Sequence, residues 1–130
     1  IDPSLTNAGK DALRVLILAL RPASNAESND AQAKERIKEI SAVLIKIGEP
    51  AVERLLLAIE GEFRRGRSRT EAAILDALAR ETALKIIADI GPAARSNQTM
   101  AALAKLQRGD PSRSVREAAR QAYIAIQGSK

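Results

Sequence analysis

Nine residues near the start of the chain, Ala12-Leu-Arg-Val-Leu-Ile-Leu-Ala-Leu20, align without a gap on Ala51-Val-Glu-Arg-Leu-Leu-Leu-Ala-Ile59, 39 positions further on. A second echo, Ile47-Gly48, returns as Ile90-Gly91 after 43 positions. A spacing near 40 residues accommodates two helices and their turns. A pair of helices that short cannot bury its own apolar face, so such units acquire a core by stacking on their neighbours. Composition points to helix as well. Alanine is the commonest residue, 25 of 130, with 14 Leu and 13 Ile but only four Val, and Phe63 and Tyr123 are the only aromatic residues. Alanine costs nothing in a helix, whereas a sheet draws on aromatic and β-branched side chains.

Glycine, proline and polar caps divide the chain into six expected helices. The first runs from about Lys10 to Leu20 and stops before Pro22. It is apolar almost all round, so neighbours are expected on several of its sides. Arg21 to Asn29 reads as a linker. Asp30 caps a second helix that extends to Ile47 and buries Ile37, Ile40, Leu44 and Ile47. Gly48 ends it and Pro50 opens a third, which carries Val52, Leu55, Leu56, Ile59 and Phe63 inward and closes at Gly66. A fourth spans about Thr70 to Ile90, with Leu75, Leu78, Thr82, Ile86 and Ile90 turned inward. Gly91-Pro92 repeats the stop-and-restart signal ahead of a fifth helix, Ala93 to Gln107. Gly109, Asp110 and Pro111 introduce the sixth, which buries Val115, Ala118, Ala119, Ala122 and Ile126.

The stretch Asp110-Pro-Ser-Arg-Ser-Val-Arg-Glu-Ala-Ala119 resembles the opening of a HEAT repeat of the short bacterial, phycobilisome-lyase-like kind: an Asp followed by Pro, then Val-Arg and small residues. Arg80 lies eleven residues before Gly91, and Asp30 and Arg36 reproduce the six-residue separation of Asp110 and Arg116. The fourth helix departs from the pattern, with Ile74 where an Asp would stand six residues before Arg80. The resemblance implies an all-α fold, a right-handed α-solenoid of about three HEAT-like helical hairpins, filling residues 1–130 as a single repeat domain and as a fragment of a longer array. It also implies that Asp30, Arg36, Asp110 and Arg116 belong to hydrogen-bond ladders between neighbouring repeats. By this alignment the first, third and fifth helices are the second members of their hairpins, which line the concave face. Their polar positions Arg14, Glu53, Glu60, Gln98 and Lys105 then form the expected contact surface.

With no Cys and no His, disulfides, thiolate or imidazole catalysis and the usual zinc and haem sites are excluded. None of the serines has a histidine to activate it, and no glycine-rich phosphate loop occurs. The chain is therefore read as a non-enzyme with no cofactor and no metal. Its expected partner is another protein or a peptide. Nucleic acid is the alternative, because residues 61–130 carry 13 basic and 7 acidic side chains, and residues 1–60 carry 8 and 9. The excess gathers at Arg64, Arg65, Arg67 and Arg69, which could grip phosphates or an acidic peptide, or simply lie solvated in a loop. Scarcity of aromatics argues against base stacking.

The apolar run Val15–Leu20 is far shorter than the ~20 residues that cross a bilayer. No basic stretch with a long apolar core opens the chain, which begins at Ile1 and so reads as a processed product or a piece. A cysteine-free composition fits a reducing cytoplasm, the preferred compartment, and also an exported bacterial protein.

Overall fold

The computed structural model describes residues 7–64 and 70–127, with side chains from Asp11 onward. Among these residues the fold is all-α, with no strand. The helices are α1 (Asn7–Leu18), α2 (Asn25–Ser28), α3 (Ala31–Ile47), α4 (Glu49–Glu60), α5 (Glu71–Ile90), α6 (Asn97–Gly109) and α7 (Arg113–Gln127). Short 3₁₀ turns, Glu62–Arg64 and Gly91–Ala94, follow α4 and α5.

Seven described helices replace the six expected, and the addition is α2, a single turn inside the stretch read as a linker. Its cause is local. The Ser24 hydroxyl accepts from the Glu27 amide at 3.1 Å, and Glu27 Oε1 accepts from the Ala23 amide at 2.7 Å. This reciprocal capping satisfies donors that any helix start leaves without partners.

Boundaries move as well, with α1 running from Asn7 to Leu18 where about Lys10 to Leu20 was expected. The helix expected to pass Phe63 ends at Glu60, because Gly61 leaves helical geometry (φ −115°, ψ −89°) and a 3₁₀ turn then carries Phe63 into the interior. The helix expected from Ala93 begins instead at Asn97. Ser96 adopts extended backbone and its hydroxyl accepts from the Thr99 amide at 3.0 Å, so this cap fixes the start. Other signals act where they were placed. Asp30 caps α3 by accepting from the Ala33 amide at 2.9 Å, and Gly48 and Gly91 close α3 and α5 with φ of 79° and 75°. Those angles suit glycine, which has no side chain to clash in the left-handed region.

One connected core runs through the helices. The expected inward residues of α4 (Val52, Leu55, Leu56, Ile59) and of α7 (Val115, Ala118, Ala119, Ala122, Ile126) all belong to it. On α5, Leu75 and Ile86 are buried, whereas Leu78, Thr82 and Ile90 are only half-buried. The expectation fails most on α3, where Leu44 is buried, Ile37 and Ile40 are half-buried and Ile47 is exposed. Nor is α1 covered on several sides, since Val15 is 64% exposed. Both helices lack a packing neighbour along one flank among the described residues. Elsewhere α1 packs on α4 and α4 on α6, while α3 packs on α5 and α5, most extensively, on α7; α4 also meets α3 and α5, and α6 meets α7.

Candidate functional site

Arg14 stands on α1, Glu53 and Glu60 on α4, Gln98 and Lys105 on α6, and all five are exposed. Because α4 touches both α1 and α6, the five belong to three adjoining helices. Glu53, Leu57 and Glu60 follow at spacings of four and three, which sets them on one side of α4. Leu57 is itself exposed at that centre, an apolar spot that the sequence reading did not single out. Arg64 is exposed as well. Arg65, Arg67 and Arg69 lie outside the described residues.

One of the five is tethered. Arg14 Nε approaches Glu62 Oε2 at 3.7 Å, and Arg54 Nη2 donates to the same oxygen at 2.7 Å. The hydrogen bond from Arg54 is the main reason that the Glu62 carboxyl is held below the usual glutamate range, with the charges of Arg54 and Arg14 adding to it and partial burial opposing it. Glu62 thus draws both neighbouring arginines toward itself. Glu53 and Glu60 form no ion pair with any described residue.

Behind this surface lies a buried polar network. Arg80 on α5 grips Asp110 with two hydrogen bonds, Nε to Oδ2 at 2.9 Å and Nη2 to Oδ1 at 3.0 Å, and its Nη1 donates to the Phe63 carbonyl at 2.7 Å. Asp110 Oδ1 also accepts from the Ser112 amide at 2.9 Å, and Arg116 Nη1 donates to the Asp110 carbonyl at 2.7 Å. Arg80 and Asp110 together therefore tie the turn after α4, the middle of α5, the end of α6 and the start of α7. Four residues earlier on α5, buried Asp76 accepts from Arg21 Nε at 2.6 Å, and Arg21 Nη2 reaches the Ala72 carbonyl at 3.3 Å. Among the described residues no buried side-chain nitrogen or oxygen lacks a partner.

Of the four residues that the resemblance put in ladders between repeats, Asp110 hydrogen-bonds across helices to Arg80, and Arg116 reaches the Asp110 carbonyl six residues before it. Asp30 caps its own helix and is exposed, while Arg36 forms a solvated ion pair with Glu27 at 3.6 Å. The sequence reading missed the Arg21–Asp76 pair. Its signal was a charged residue, Asp76, set between apolar Leu75 and Ala77 in the first third of α5.

Among the described residues no group of carboxylates could hold a metal ion, and no helix is long and apolar enough to cross a membrane. Comparison with protein-family models, with curated proteins and with solved structures returns no match.

Proposed function

We propose that this chain is a non-catalytic scaffold, a right-handed α-solenoid of HEAT-like hairpins that holds another protein or a peptide on the face built from α1, α4 and α6. The observation that carries this reading is the alternation in packing, α1 on α4 on α6 and α3 on α5 on α7, with every expected contact residue of the first row exposed. In a stack of hairpins each helix rests on its counterpart in the next unit, and that alternation is what such a stack produces. The row offers Leu57 as an apolar centre, Glu53 and Glu60 with no ion pair to any described residue, and Lys105 and Gln98 on the adjoining α6. Since the surface is preformed, a partner would bind without the ordering cost that a flexible loop incurs.

The test is capture with the whole chain as bait. Glu53→Lys with Lys105→Glu should release a bound protein or peptide by about tenfold or more, as charge reversal at a complementary interface does. An unchanged captured set, with the variant still folded by circular dichroism, would overturn the assignment of this face.

A second reading has its own support. Residues 91–127 hold six basic side chains against Asp110 and Glu117, and Asp110 is already engaged by Arg80. That leaves Lys105, Arg108 and Arg113, exposed on α6 and at the start of α7, to meet phosphate oxygens. Retention on duplex DNA that falls steeply between about 50 and about 200 mM salt would favour it over the protein-binding one.

A further inference from the structure

The outward face of α3 is the least explained surface in the molecule. Only Ala33 and Leu44 of its 17 residues are buried, the smallest share in any helix from α3 to α7. On the open side stand Arg36, Glu39, Ala42, Val43 and Lys46, all exposed, and Val43 shows 46% of its surface to solvent. Some helix charges elsewhere pair within their own helix, as Glu81 does with Lys85 and Glu117 with Arg120. Glu39 and Lys46 form no ion pair with any described residue.

The order of these side chains is complementary to itself when reversed. A two-fold axis through the midpoint between Ala42 and Val43 places Glu39 of one copy against Lys46 of the other, and the converse, each about 5 Å along the helix from the axis. The same operation lays Val43 over Ala42, whose methyl group permits close approach, and turns Arg36 toward the α3–α4 turn where Glu49 is exposed. No like charges meet in this register. Moving the axis back to Ala42 or Ser41 sets Lys46 against Lys38 or Arg36 and destroys the match. We infer that α3 is a self-association surface: two copies of this chain pair through antiparallel α3 helices about the Ala42–Val43 midpoint. The occupant is a second copy because the charge pattern fits its own reverse, and the two-fold operation closes the assembly at a dimer. One helix against one helix is a small interface, so the dimer is weak and forms at high protein concentration. This inference does not depend on the scaffold reading above.

Sedimentation velocity of the whole chain tests it, from about 10 µM to about 1 mM at low salt, a range that brackets a weak complex. The expected result is a concentration-dependent shift from monomer to dimer that weakens as salt screens the charges. Glu39→Lys alone and Lys46→Glu alone should each weaken the dimer by about tenfold or more, because like charges then face each other. Combining them should restore it to within about threefold of the original, since the exchanged pair is again complementary. All the altered residues are exposed, and an unchanged Tm would show that each variant is folded. A monomer at every concentration would overturn the proposal. So would single reversals without effect, or a double variant no tighter than either single one.

Discussion

Asp110 shows what one side chain can fix. Its carboxylate meets Arg80 and the Ser112 amide, and its carbonyl meets Arg116. A buried ion pair is not intrinsically stabilising, because both charges have left water, but removing one partner strands the other. Asp110→Asn should therefore destabilise the fold by about 3 kcal/mol, read from urea denaturation, with Arg80→Met added to it costing much less than a second independent loss. Part of this was legible in the sequence, where Asp110-Pro111 and Arg116 stand out as a repeat opening. The partner was not. Arg80 sits 30 residues away on another helix, and its four-residue separation from Asp76 is equally that of an intrahelical ion pair. Both reach outward instead, to Arg21 and Asp110, a choice that only tertiary packing makes.

At the scale of elements, legibility follows how local the cause is. Gly48, Gly91 and Asp30 act within a few residues of themselves, and each marks its boundary correctly. The Ser24–Glu27 capping pair was equally local, but Arg21, Pro22 and two Asn residues around it gave the segment the look of a loop. Ser96 competed with the Gly91-Pro92 restart and prevailed because its hydroxyl satisfies an amide that a start at Ala93 would have left to water. Gly91 offers a clean measurement. A methyl group there would meet no atom within 4 Å, so only the positive φ of 75° opposes it. Gly91→Ala should lower stability by about 2 kcal/mol, the cost of holding an ordinary residue at φ 75° and ψ −147°, a region essentially confined to glycine, with no further loss from crowding. Thermal denaturation of the single variant suffices to check it.

The whole molecule is unevenly consolidated. Eight of the 20 residues of α5 are buried against two of the 17 in α3. Hydrogen exchange should accordingly show α3 opening at a lower free energy than α5 and α7, with the slowest amides around Ala79 to Ile87. Uniform protection along the chain would contradict it. Sequence periodicity alone could not foresee this gradient. The stripe Ile37, Ile40, Leu44 and Ile47 is as regular as that of α4, yet how deeply a stripe is covered depends on which neighbours reach it.

The Arg80–Asp110 clasp also governs how the chain can be divided. Helical pairs with a 40-residue rhythm invite excision as interchangeable parts. A piece that kept α5 but stopped short of position 110 would hold a guanidinium in its apolar centre with a lone carbonyl, that of Phe63, to answer it. Engineers who wish to shorten or transplant this protein must cut outside that clasp, or first replace both charges with hydrocarbon.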